Sequence, residues 1–113
     1  MFRRVADFEK SWTYDGEATL KILRTLTDAS LAQAISPEDR TLGRLAWHVT
    51  CTIPETYGER WTRGYTLQAL VGHQVHHRGQ MTVLMRQAGL RVPGVFGPAR
   101  EEWSAFGMAA PKV

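Results

Sequence analysis

The stretch "TLQALVGHQVHHRGQMTVLMRQAG", residues 66–89, decides the reading of this chain. It runs 24 residues from Thr66, a good helix cap, to Gly89, a good helix stop, with no proline between them. Advancing about 100° per residue places Leu70, His73, His77, Met81, Leu84 and Ala88 on one stripe. His73 and His77 stand four apart, so their Cβ atoms lie about 5–6 Å from one another on that face. His76 is turned roughly 100° away and should face elsewhere. The chain has four histidines in all, and the fourth is His48 in "TLGRLAWHVT", residues 41–50.

Two further helices frame this one. Val5, Phe8, Trp12, Thr19, Ile22, Leu23, Leu26 and Ala29 form a stripe that predicts a long first helix. Asp15-Gly16 weakens its middle, and "ISPEDR" breaks it, since Pro37 disfavours helix at Ser36. A second helix begins after Thr41, with Leu42, Leu45, Ala46, Val49 and Ile53 on its apolar face and Pro54 near its end. "ETYGERWTRGY" reads as a connection. After "RVPGVFGP", Pro98 suits the first position of a short helix, "PAREEWSAF", closed by Gly107, with Trp103 and Phe106 docking it on the bundle. The pattern holds no strand and no repeat, and 113 residues make one all-α helical domain, 1–113.

His48 lies at the edge of the second helix's apolar face. Packing the second helix on the third brings it to His73 and His77. Three imidazoles from two helices match a three-ligand metal site with open positions, and imidazole suits Zn, Ni, Cu or Fe rather than Mg or Ca. The competing reading is a set of half-buried histidines with ordinary hydrogen bonds. Imidazoles without partners in an apolar seam would cost about 1–3 kcal/mol each, and a shared cation removes that cost. A His-Glu-x-x-His protease motif is excluded, because residue 74 is Gln. Three neutral ligands and a dipositive ion suit Lewis-acid chemistry on a bound water or thiol. No general base or other catalytic residue can be named.

Other signals set limits. Net charge is +3, and residues 56–100 carry six Arg (60, 63, 78, 86, 91, 100) against Glu59 alone. That half reads either as a solvated face or as a surface for an anion. No Lys/Arg run is long enough for a nucleic-acid tail. Cys51 is the only cysteine, which excludes an intrachain disulfide and fits a reducing compartment. It reads as a buried structural residue. No apolar run approaches the roughly 18 residues a membrane span needs, and "MFRRV" lacks an apolar signal core behind it; a cytoplasmic protein is expected. Arg78 and Gln80 read as helix packing or as support for the metal pair, Gly79 as a close-approach site, Trp47, Met81 and Met85 as packing, and Trp61 and Tyr57 as core or pocket mouth.

"TLGRLAWHVT", "YGERWTRG" and "HQVHHRGQMTVLMRQAGLRVPGVFGPAREEW" strongly resemble the DinB/YfiT-like family of metal-binding four-helix bundles. The resemblance implies an up-and-down bundle in which His48, His73 and His77 hold a divalent metal, Zn, Ni or Fe. It further implies metal-dependent transfer or hydrolysis on a small-molecule substrate, in some relatives with a low-molecular-weight thiol. It also exposes a departure: the family usually carries another helix between "CTIPE" and "TYGERW", and roughly forty residues are absent here. At about 1.5 Å per residue the first and third helices would reach about 40 and 35 Å and the second only about 20 Å. An omitted segment, a deletion, or two chains completing each other as a homodimer would each account for this. A non-catalytic, metal-stabilised assembly module is the alternative to an enzyme.

Overall fold

A computed structural model describes residues 2–52 and 61–111. Among these there are three α-helices and two short 3-10 helices, and no strand, as expected for the all-α class. Helix α1 spans Val5–Thr25, α2 spans Leu42–Cys51 and α3 spans Arg63–Gln87. No helix among the described residues is long and apolar enough to cross a membrane.

The first helix ends earlier than its apolar stripe suggests. Leu26 is already extended, at φ −68° and ψ 146°. Thr27 and Ser30 then cap one another, the Ser30 amide donating to Thr27 Oγ1 at 3.3 Å and the Thr27 amide to Ser30 Oγ at 3.0 Å. This opens a separate 3-10 helix, Asp28–Ala32, so local capping overrides the periodicity that continued to Ala29. At the other end Val5 is 70% exposed.

Thr41 caps α2 as expected, accepting from the Arg44 amide at 3.1 Å. Ile53 and Pro54 lie outside the described residues. The α3 cap is Thr62 and not Thr66: Thr62 Oγ1 accepts from the Tyr65 amide, and Thr66 sits inside the first turn, donating to the Thr62 carbonyl. Both threonines satisfy the local pattern, and the earlier one adds a turn. At the far end the Gly89 and Leu90 amides donate to the carbonyls of Arg86 and Met85, with Gly89 at φ 73°. This is the Schellman closure that glycine permits.

Helix α3 packs on both α1 and α2. The apolar core gathers Ile22 from α1, Leu42 and Leu45 from α2, Met81, Leu84 and Met85 from α3, and Val92 beyond it. Gly79 is not a close-approach glycine, having nothing within 4 Å, whereas a Cβ at Gly43 would meet Leu31 at 3.1–3.2 Å and one at Gly94 would run into Glu102 and the Gly97 carbonyl. Trp47 is 64% exposed, which corrects its reading as packing.

A polar layer crosses the middle of this core. Arg78 and Asp15 are buried together, with Arg78 donating to the Asp15 carboxylate at 2.9 Å and to its carbonyl at 2.8 Å. Asp15, read from sequence as a weak point in α1, is thus its anchor to α3. Thr19 Oγ1 lies 3.0 Å from Gln74 Oε1, and Gln74 Nε2 donates to the Val49 carbonyl of α2 at 3.2 Å. The Arg-rich half is also partly neutralised in space. Arg78 pairs with Asp15, and Arg86 and Arg100 with Glu101, acids that lie outside the 56–100 window.

The C-terminal "PAREEWSAF" is not an α-helix. Turns lead into a 3-10 helix, Trp103–Phe106, closed by Gly107 at φ 67°. Phe106 is 64% exposed and does not dock. The segment is held instead by a two-bonded Arg86–Glu101 pair and by Glu102, which accepts from the Gly94 and Ala99 amides at 3.0 Å each.

Two outcomes follow. The Asp15→Ala protein strands a buried guanidinium and should lose about 3–5 kcal/mol in urea denaturation, while Asp15→Leu combined with Arg78→Met should regain most of it. The Arg86 guanidinium holds the Glu101 carboxyl down to about 2. Its docking contribution is therefore complete above the ordinary glutamate value and fades as pH falls from there through about 2. A carboxyl NMR titration should show that midpoint, and Arg86→Gln should return it to the ordinary range.

Candidate metal centre

His48 sits on the last full turn of α2, one turn beyond the buried Leu45. His73 and His77 project from α3. Residue 74, adjacent to His73, donates to the carbonyl of Val49, adjacent to His48. That single hydrogen bond sets the register of one histidine against the other. Residue 78, adjacent to His77, is the arginine that ties α3 to α1.

The three rings meet as the spacing argument expected. His73 Nε2 lies 3.2 Å from His48 Nε2 and 3.1 Å from His77 Nε2. One ligand atom from each lies within 4.8 Å of the others, a cluster able to hold a metal ion. Metal–nitrogen bonds of about 2.0–2.1 Å place neighbouring ligand nitrogens about 3.0–3.4 Å apart, a range that the His73–His48 and His73–His77 pairs meet. His76 is exposed and packs its ring edge against His77 from outside. Cys51 is a free, half-buried thiol outside the cluster.

The other ring nitrogens explain which atoms face inward. His77 Nδ1 is 2.6 Å from Gln80 Oε1. An amide oxygen only accepts, so Nδ1 carries the proton and Nε2 keeps its lone pair. His73 Nδ1 is 3.3 Å from Thr52 Oγ1, which itself lies 3.0 Å from the His48 carbonyl. The hydroxyl can give its one proton to the carbonyl and accept from His73 Nδ1, the tautomer that leaves His73 Nε2 unprotonated as well. In that tautomer two imidazole lone pairs face each other at 3.1 Å, an arrangement that a cation satisfies.

Burial lowers the His77 pKa below the ordinary histidine value. The Gln80 hydrogen bond opposes this, and charge on His48, His76 and Arg40 adds to it. His77 is therefore neutral at pH 7, the form a metal requires. Gln80 was legible as support for the pair. Thr52 was not, although a threonine four residues after His48 is a visible signal. Arg78 is committed to Asp15 and does not reach an outside anion, and Tyr57 lies outside the described residues.

One turn along the α2–α3 seam from the histidines is a cavity of about 370 Å³, with Gln80 in its wall. A second, strongly apolar groove of about 280 Å³ lies between α1 and α2, lined by Trp12, Leu20, Leu23 and Val49 among others.

The DinB family model matches residues 51–112. The uncharacterized protein YrdA of Bacillus subtilis (strain 168) is 37% identical over 167 aligned positions that cover both chains in full. The alignment therefore holds at least 54 positions for which this 113-residue chain has no residue. The crystal structure of a DinB-like protein from Bacillus cereus ATCC 10987 superposes with a TM-score of 0.76 at 36% identity, covering 85% of this chain and all of that one. A family model matching more than half of the chain, a relative aligned from end to end and a shared all-helical fold place this chain in the DinB family.

Proposed function

We propose that His48, His73 and His77 bind one divalent transition metal, Zn, Ni or Fe, and that the protein is a metal-dependent transferase or hydrolase acting on a small molecule. The observation that carries this reading is the convergence of the three Nε2 atoms, with two of the rings oriented from behind by Gln80 and Thr52. A cation held there supplies Lewis acidity, lowering the pKa of a water or low-molecular-weight thiol bound beside the imidazoles. The chain's own part is to keep three neutral donors aimed at one point. Gln80 and Thr52 hold the Nδ1 protons of His77 and His73, and Gln74 holds α2 against α3. Three protein ligands leave positions for water or substrate.

Metal analysis tests the site. Purified protein should carry about one transition-metal ion per chain, and His73→Ala almost none. Gln80→Leu should fold and bind the metal about 10–100-fold more weakly, because the His77 ring loses its orienting partner. Negligible metal in both wild type and His73→Ala would overturn the reading.

A second reading, a non-catalytic, metal-stabilised assembly module, is favoured by the 54 or more unmatched alignment positions and by the apolar groove between α1 and α2. In it a second copy of the chain covers that groove. Light scattering should then give twice the 12.8 kDa chain mass, and Leu20→Glu at the groove should return the protein to monomer. A wild-type monomer at high concentration would remove this reading.

A further inference from the structure

The cavity beside the histidines differs from the α1–α2 groove in having a charged wall. Its apolar surface comes from Ile35, Leu45, Val83 and Leu84. Ile35 is 69% and Val83 52% exposed, so two branched aliphatic side chains stand uncovered at its mouth. Arg40 and Asp39 complete the wall on the loop between the 3-10 helix and α2. The two charges differ in their partners. Asp39 and Glu38 each lie 2.9 Å from the Ser36 hydroxyl, whose single proton serves one of them at a time, and both keep their negative charge. Arg40 forms no ion pair among the described residues. Arg78 and Arg86 are both committed to carboxylates, so Arg40 is the guanidinium placed to meet an anion here. It also stands close enough to contribute to the field at His77.

We propose that this cavity seats a small amphiphilic carboxylate. Arg40 pairs with the carboxylate, and Leu45, Leu84, Val83 and Ile35 cover an aliphatic chain running along the α2–α3 seam toward Gln80. Its volume of about 370 Å³ is at the small end of ligand sites, which suits a molecule of this kind rather than a large cofactor. The inference deepens the function proposed above by naming the substrate class. The seat itself needs no metal.

Methyl NMR of the metal-free protein tests it with three probes of equal chain length: hexanoate, 1-hexanol and hexylamine. Hexanoate should shift the Ile35, Leu45, Val83 and Leu84 methyl signals and bind about fivefold more tightly than hexanol, as an exposed ion pair allows. Arg40→Gln should erase that preference and leave hexanol binding unchanged. Asp39→Asn should strengthen hexanoate, because a like charge leaves the wall. Equal affinity for hexanoate and hexanol, tighter hexylamine, shifts confined to other methyl groups, or a preference that survives Arg40→Gln would each overturn it. Because no metal is added, failure of the metal analysis and failure of this seat are separate results.

Discussion

The structure depends on where Gln74 and Arg78 send their hydrogen bonds. Each follows a histidine of the cluster on α3, and each crosses to a different helix: Gln74 to the Val49 carbonyl of α2, Arg78 to Asp15 of α1. Both side chains are buried, and a buried polar group without its partner costs far more than the bond contributes when made. These bonds tolerate no slip of register. A shift of one residue along α3 would strand a guanidinium in the core and carry His73 and His77 away from His48. Apolar packing alone would allow such a shift at modest cost, since Met81 and Met85 adapt easily. Polar specificity therefore guards the site's geometry, while Ile22, Leu42, Leu45 and Leu84 supply the bulk of the burial.

Helix lengths complete the picture. At about 1.5 Å per residue, α1 with 21 residues and α3 with 25 run about 31 and 37 Å, against about 15 Å for the 10 residues of α2. The mismatch read from the sequence is present in the fold, although each helix is a little different in length from its expected extent. It leaves apolar surface on α1, including Leu20 at 40% exposure, along the groove toward α2. The Bacillus subtilis relative carries more chain than this one does. The histidine cluster draws only on α2 and α3, so its geometry stands without that extra chain.

Much of this was open to inspection in the residues. The i, i+4 pair of His73 and His77 lies on one face of any helix, because helical rotation depends on backbone geometry and not on neighbours. Thr41 and Gly89 announced their helix ends through local capping chemistry, which is complete within a few residues. The failures share one origin. Thr27 and Ser30 interrupt a stripe that periodicity alone would extend, and Thr62 caps a helix that Thr66 could equally have begun.

What the sequence by itself determined is thus the set of helices and which histidines share a face, since both are short-range properties of the chain. What only the tertiary structure decided is partnership. Asp15 finds Arg78 63 residues away, Glu101 finds Arg86, and Arg40 is left to face a cavity that no local pattern outlines. A charge count along the chain made residues 56–100 look like an anion-binding half, but three of its arginines are paired through space. Which arginine remains available depends on which carboxylates the folded helices bring within three ångströms of it.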